Sequence, residues 1–267
     1  MAGSVLVVIS DTHIGSSTAL APLEFSVHNR SSLEVQTLQA NRLQRWVYEN
    51  WLDFWQYVKH IQGKKKRLIV AHLGDVIDGN YLRSTQIVQE VGDQEKMAMD
   101  LLEPIRSRAN TFIGILGTAA HAGPDHAVEA DIYRQLGADY VDQQMTVDID
   151  GIRVDLAHHG RMGTRPWTSG AANLASEIML DYAQSGIPLP HYIFRGHFHA
   201  LDDSGAKFEN TRLIQCPAWQ LKTTYANRVA GNVRRSDIGG VIVVDGQVDL
   251  SKSRYCGQPD GRKIILV

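Results

Sequence analysis

The feature that most constrains the fold is a series of short apolar runs, each leading into a polar loop. The runs are VLVVI (5–9), LIVAHL (68–73), TFIGIL (111–116) and YIF (192–194). Runs of this length that are rich in β-branched residues indicate buried strands. Helical patterns separate the first runs, whereas glycine-containing turns mark hairpins later in the chain. This order predicts a mixed β-sheet covered by helices.

The chain is expected to form a single domain over residues 1–267. Its 267 residues fit one large α/β domain, and no linker divides them. Apolar residues recur with a helical period from about 33 to 61, which predicts a helix within an insertion at about 16–62. A second helix is predicted at 93–109, where Pro104 is expected to kink or interrupt it.

Composition excludes several classes of protein. The formal net charge is -2, which gives no global electrostatic argument for a nucleic-acid or membrane partner. The two cysteines do not make a disulfide framework, so we expect a reduced, cytoplasmic setting. No run of 18 apolar residues occurs, and the first residues lack the basic region of a signal peptide.

Histidine and aspartate residues recur where the predicted strands end. They are Asp11, His13, Asp75, Asp78, His121, His158, His159, His197 and His199. Each could be a turn residue or a surface histidine when taken alone. Ligands of open α/β sheets bind outside the carboxyl ends of the strands, however, and five separate segments bring such residues there. Together they predict a metal site.

The donor types limit the choice of metal. The set combines carboxylate oxygen and imidazole nitrogen without thiolate, which suits Mn, Fe, Zn, Ni or Co, with Mn favoured. Six of these residues are candidate ligands, namely Asp11, His13, Asp75, one histidine of the 158–159 pair, His197 and His199. Six ligands are too many for one ion with an open position, and they fit two ions that share a bridging carboxylate. Two metals about 3.5 Å apart suit phosphoryl transfer.

The ordered segments resemble the motifs of the calcineurin-like metallophosphoesterase superfamily. They are DTH (11–13), GDVID (74–78), GTAAH (117–121), AHHG (157–160) and GHFH (196–199). The resemblance covers about residues 4 to 200. It implies a four-layer α/β sandwich in which two mixed β-sheets are flanked by helices. It also implies two divalent ions and hydrolysis of a phosphate ester by a metal-bridging hydroxide.

The resemblance also implies roles for individual residues. Asp11, His13 and His199 would bind the first metal. Asp75 would bridge the two ions, and the second metal would be held by His197 and His158. We prefer His158 to His159 because it ends the apolar strand. Asp78 would orient a ligand histidine.

The third motif departs from the family pattern. The family has an asparagine ligand after the glycine, where this chain has Thr118. The Thr118 hydroxyl, Asn80 or a water could take its place. His121 is expected to act as the general acid toward the leaving oxygen, with metal binding as the alternative. The GTxxH pattern resembles a variant of phage and prophage members.

The substrate is less constrained than the chemistry. We expect a phosphodiesterase acting on a nucleotide or nucleic acid, with a phosphomonoesterase as the alternative and a non-catalytic binding protein as a third hypothesis. Arg161 and Arg165 could clamp a phosphate, although a solvated loop is the preferred interpretation of this segment. The segment at 216–228 could wall the pocket. A homo-oligomer is left open, and no membrane partner is expected.

Overall fold

The computed structural model describes residues 3–28, 34–80, 86–161, 170–223 and 236–259. Its strands are β1 (Ser4–Ile9), β2 (Glu24–His28), β3 (Val35–Gln39), β4 (Arg67–His72), β5 (Thr111–Ile115), β6 (Tyr140–Asp142), β7 (Gln144–Ile149), β8 (Ile152–Ala157), β9 (Tyr192–Arg195), β10 (Asp202–Asp203), β11 (Arg212–Gln215), β12 (Val241–Val244) and β13 (Gln247–Asp249). Its α-helices are α1 (Arg42–Gln62), α2 (Val91–Arg106), α3 (Ala119–Ala122), α4 (Ala127–Leu136) and α5 (Gly170–Gln184).

The strands form two mixed sheets and a separate hairpin. The first sheet has the order β13-β12-β1-β4-β5-β6, in which β1, β4, β5 and β6 run parallel. The second sheet has the order β10-β11-β9-β8-β7, with β8, β9 and β11 parallel. In both sheets the parallel strands carry the polar segments at their carboxyl ends, so the topology can gather those segments.

Alternation along β1 shows how the layers stack. Val5 and Val7 pack with α1, α2 and α4 in one core cluster, while Leu6 and Val8 pack in a second cluster between the sheets. Both faces of the strand are therefore buried, which explains why its residues are continuously apolar.

The second sheet alternates in the same way. On β9, Phe194 faces the first sheet and Ile193 packs against Ala171 and Ala175 of α5. The predicted four-layer sandwich, with two mixed sheets flanked by helices, is confirmed.

The first helix begins later than the sequence pattern predicts. The prediction that it starts near residue 33 is wrong, because residues 35–39 form β3 and pair with β2 as a hairpin. The helix starts after Asn41, whose side chain accepts hydrogen bonds from the backbone of Leu43 and Gln44. The Gln44 side chain in turn accepts from the Asn41 backbone, so a capping box fixes the start of the helix.

The second helix continues through its proline. The prediction that Pro104 interrupts it is wrong, because the helix runs from Val91 to Arg106. Pro104 lies two residues before the end, where few turns remain to be disrupted. None of the helices in the described ranges is both long enough and apolar enough to cross a membrane.

Candidate metal centre

Backbone hydrogen bonds join the segments that carry the candidate ligands. Asp11 N donates to Gly74 O (3.0 Å) and His13 N donates to Asp75 O (3.0 Å), which ties the segment after β1 to the one after β4. In the second sheet, Gly196 N donates to His158 O (2.8 Å). Backbone hydrogen bonds between neighbouring strand ends therefore fix the positions from which the candidate side chains extend.

Five candidate ligands have left-handed backbone conformations. Their φ angles are 54° at Asp11, 41° at His13, 54° at Asp75, 76° at His197 and 54° at His199. Positive φ costs a residue with a Cβ about 1–3 kcal/mol, and such residues cluster at functional sites. The same segments therefore combine backbone strain with side chains that could bind metal, a feature that the sequence pattern does not reveal.

One group of potential ligand atoms contains Asp11, His13 and His199. The Nε2 atoms of His13 and His199 lie 3.1 Å apart, and His199 Nε2 lies 3.3 Å from Asp11 Oδ1. The other Asp11 oxygen, Oδ2, accepts hydrogen bonds from Ser10 Oγ and from His197 N. Asp11 is thus oriented through Oδ2, while Oδ1 faces the two imidazoles.

A second group contains Asp75, His158 and His197. His158 Nδ1 donates to Leu73 O (2.5 Å), which directs Nε2 toward the carboxylate, 3.2 Å from Asp75 Oδ2. His159 lies beside this group, with its ring stacked on His197 at a centroid distance of 5.2 Å. Of the predicted pair, it is therefore His158 that reaches the carboxylate.

A third group connects the other two. It contains His13, Asp75 and His121, so His13 and Asp75 each belong to two groups. His121 Nδ1 donates to Asp78 O (2.8 Å), and His121 Nε2 lies 4.0 Å from Asp75 Oδ2. The arrangement brings His121 to the middle of the cluster with its Nε2 directed at the shared carboxylate.

Thr118 contacts the shared carboxylate as a hydrogen-bond donor. Its backbone N donates to Asp75 Oδ1 (2.6 Å), and its Oγ1 lies 3.0 Å from the same oxygen. Asn80, the other residue considered in place of the family asparagine, donates through Nδ2 to Gln89 O (3.2 Å). The hydroxyl therefore orients Asp75, and the Asn80 amide is engaged elsewhere.

Asp78 lies behind His13. Its Oδ1 is 3.4 Å from His13 Nδ1 and accepts a hydrogen bond from Gln220 Nε2 (3.3 Å). A carboxylate at the outer nitrogen of a histidine fixes the ring and directs Nε2 inward. Gln220 comes from the segment expected to wall the pocket, although the sequence does not single out this residue.

Of the two arginines considered for phosphate binding, Arg161 lies within the described residues and is already paired. The Arg161 guanidinium forms an ion pair with Glu177 of α5, and its backbone N donates to Gln215 Oε1 (3.1 Å). Arg165 lies outside the described residues.

The electrostatics of the centre are dominated by buried carboxylates. Burial disfavours the ionised form of Asp75, but the charge of His158 outweighs burial and holds the pKa of Asp75 well below its usual range. Burial likewise lowers the pKa of His13, yet the carboxylates of Asp11 and Asp78 raise it to about 10. The charge of Asp75 raises the pKa of His158 to about 9 against the opposing effect of burial. The carboxylates therefore attract positive charge to the centre.

The donor set fits divalent metal ions. Asp11 Oδ1 and His158 Nε2 are buried and have no hydrogen-bond partner among the described residues, although both face other ligand atoms. A buried polar atom without a partner is costly, and coordination to a cation would satisfy it. Mixed nitrogen and oxygen donors without sulfur suit Mn, Fe, Co, Ni or Zn.

No protein-family model matches the sequence, and no curated protein matches it. Among solved structures, the chain is similar to an archaeal phosphodiesterase at 11% identity and a TM-score of 0.42, covering 90% of this chain and 92% of that one. It is similar to zinc-complexed Vps29 from Entamoeba histolytica at 11% identity and a TM-score of 0.42, covering 90% and 84%. It is also similar to the E. coli phosphoesterase YfcE at 13% identity and a TM-score of 0.41, covering 90% and 87%.

Gly117 offers a direct test of the centre. A Cβ at this position would lie 2.2 Å from Asp75 Oδ1 and 2.3 Å from Asp75 N, so Gly117→Ala must displace the shared carboxylate. We expect Mn²⁺ affinity, measured by calorimetric titration, to fall by about 10- to 100-fold. Gly92→Ala in α2 is the control, because its Cβ would have no neighbour within 4 Å. Equal affinity in both variants would contradict this arrangement.

Proposed function

We propose that the chain is a metal-dependent phosphoesterase of the calcineurin-like metallophosphoesterase superfamily, and specifically a phosphodiesterase that uses two divalent ions. The proposal rests on one observation, which is that the three groups of potential ligand atoms have residues in common. Asp75 belongs to one group with His158 and His197, and to another with His13 and His121. Two-metal sites hold their ions about 3.5–4 Å apart, a separation that a shared carboxylate can span.

The proposed ligand assignment divides the cluster into two sites. Asp11, His13 and His199 would hold the first ion, His158 and His197 would hold the second, and Asp75 would contribute to both. When bound, such ions activate water and neutralise charge on the phosphoryl oxygens. Asp78 keeps His13 in position from outside. Mn is the favoured metal, and Zn, Fe, Co and Ni use the same donors.

His121 is proposed to act on the leaving oxygen as general acid, with metal binding as the second role. Both roles use Nε2, because Nδ1 is engaged by Asp78 O. The membership of His121 in a group with His13 and Asp75 supports the metal-binding role. Its partial exposure, 18% of the side chain, supports contact with a substrate. Removal of the side chain distinguishes the two roles.

The substrate, the location and the domain organisation are proposed from the sequence. A diester of the nucleotide or nucleic-acid type is the proposed substrate, with a phosphomonoester as the alternative. Arg161 would have to leave Glu177 to bind a phosphate, and Arg165 is proposed from the sequence alone. A cytoplasmic location, membership of a phage-like variant of the superfamily and a single domain with an insertion at 16–62 belong to the same proposal. A non-catalytic role is disfavoured because the buried ligand set is nearly complete.

Hydrolysis of two model substrates tests the proposed function. The protein is stripped with chelator, supplied with Mn²⁺ and assayed on bis-p-nitrophenyl phosphate and p-nitrophenyl phosphate. We expect a higher kcat/KM for the diester. His199→Ala, which removes a proposed ligand, serves as the control for contaminating enzymes and is expected to lose turnover. A monoester preference would favour the alternative, and no turnover with Mn, Zn, Co or Ni would contradict the proposal.

The His121→Ala variant separates the two roles of that residue. As general acid, His121 assists a poor leaving group far more than p-nitrophenolate, which needs little protonation. We therefore expect a loss of about 10²-fold or more for an alkyl phosphodiester, a small loss for bis-p-nitrophenyl phosphate and unchanged metal content. Loss of bound metal, measured by elemental analysis, would instead assign His121 to the ligands.

A further inference from the structure

Glu129 is a fully buried carboxylate beneath the proposed centre, in the first turn of α4. Its two oxygens accept different backbone hydrogen bonds. Oε1 accepts from Val76 N (2.9 Å), and Oε2 accepts from Gly117 N (2.5 Å). One side chain therefore connects the segment that follows β4 to the segment that follows β5.

The two donors lie on either side of the shared carboxylate. Val76 directly follows Asp75 in the chain. Gly117 directly precedes Thr118, whose backbone N donates to Asp75 Oδ1. Glu129 thus holds both the segment that carries Asp75 and the segment that orients Asp75.

The separation of these two segments is tightly limited. A Cβ on Gly74 would lie 2.5 Å from Gly117 Cα, a distance at which one of the segments must move. The segments therefore pack backbone against backbone, and a small change in their spacing would change the direction of the Asp75 oxygens.

A second residue of α4 fastens the helix to the same strand ends. Tyr133, one turn after Glu129 and also fully buried, donates to Ile115 O (3.1 Å) and lies 3.1 Å from His72 Nδ1. Residues four apart on a helix share a face, so Glu129 and Tyr133 both point toward the ends of β4 and β5. The position of Glu129 is thereby fixed by its helix as well as by its own hydrogen bonds.

The chemistry of the group explains why a carboxylate is needed there. A buried carboxylate is costly unless it is hydrogen-bonded, and here each oxygen of Glu129 accepts a backbone N–H. Glutamine has nearly the same shape without a charge, but it offers one acceptor oxygen and one amide donor. Only the carboxylate accepts from two backbone N–H groups at once.

We propose that Glu129 is a positioning residue of the metal centre, which sets the spacing of the Asp75 and Thr118 segments so that Asp75 can serve two ions. This inference rests on the proposed function, because it assumes that the centre binds metal. Glu129 lies outside the five motif segments, so the metal centre would depend on a residue that those motifs do not include.

The test is the metal affinity of Glu129→Gln. In this variant the amide nitrogen faces one of the two backbone donors, so one of the two segments must shift. Calorimetric titration of Mn²⁺ into chelator-stripped protein is expected to show about 10- to 100-fold weaker binding, the range found for lost outer-shell partners. With bis-p-nitrophenyl phosphate, kcat should fall while KM changes little.

A matched variant separates positioning from general destabilisation. Ile132 is fully buried in the same helix and packs in the helix–sheet core. Ile132→Ala should lower Tm at least as much as Glu129→Gln while keeping the wild-type Mn²⁺ affinity. If Glu129→Gln does not fold, Glu129→Asp, whose shorter side chain cannot reach both donors, is expected to show the same weakened binding.

The outcomes distinguish the two proposals. If the wild-type protein binds no Mn²⁺, the proposed function fails. If it binds Mn²⁺ and the Glu129 variant binds equally well, the role of Glu129 is overturned. Equal weakening in the Glu129 and Ile132 variants would also overturn it, because loss of stability alone would then explain the effect.

Discussion

The carboxylate of Asp75 is the group on which the rest of the centre depends. It is buried, and it is approached from several parts of the chain. Thr118 N donates to Oδ1 (2.6 Å), while His158 Nε2 lies 3.2 Å and His13 Nε2 3.9 Å from Oδ2. A buried charge must be paired and hydrogen-bonded to be tolerated. Here the shorter hydrogen bonds come to Oδ1, while the imidazoles lie beside Oδ2, which Thr118 Oγ1 also approaches at 3.2 Å. The side that faces the histidines is therefore the side suited to cations.

The two-sheet fold explains how such a group can be assembled. Asp11 and Asp75 follow neighbouring parallel strands of the first sheet, whereas His158 and His197 follow neighbouring parallel strands of the second. A hydrophobic layer between the sheets holds these strand ends at a fixed separation. The left-handed backbone at five candidate ligands stores strain that only a rigid surrounding structure can maintain. The packed strands therefore supply the rigid support that these backbone conformations need.

The fold class and the meeting of the histidine and aspartate side chains could be predicted from the sequence, because both depend on local patterns. Continuous apolar runs mark the buried strands, and the polar residues at their ends meet wherever parallel strands are neighbours. The hairpin of β2 and β3 was missed because its residues are mostly exposed and lack a strong alternation. Glu129 and Gln220 were missed for a different reason. Their roles depend on hydrogen bonds to residues 53 and 142 positions away, to Val76 and Asp78 respectively, and no short-range pattern marks them.

Electron paramagnetic resonance of bound Mn²⁺ tests whether two ions share Asp75. Mn²⁺ would be titrated into chelator-stripped protein and the spectrum followed against the metal-to-protein ratio. Two equivalents are expected to bind, and an exchange-coupled spectrum is expected to replace the six-line signal of isolated Mn²⁺, because the two ions of such a site lie about 3.5–4 Å apart. Binding of a single equivalent, or of two ions with uncoupled spectra, would contradict it.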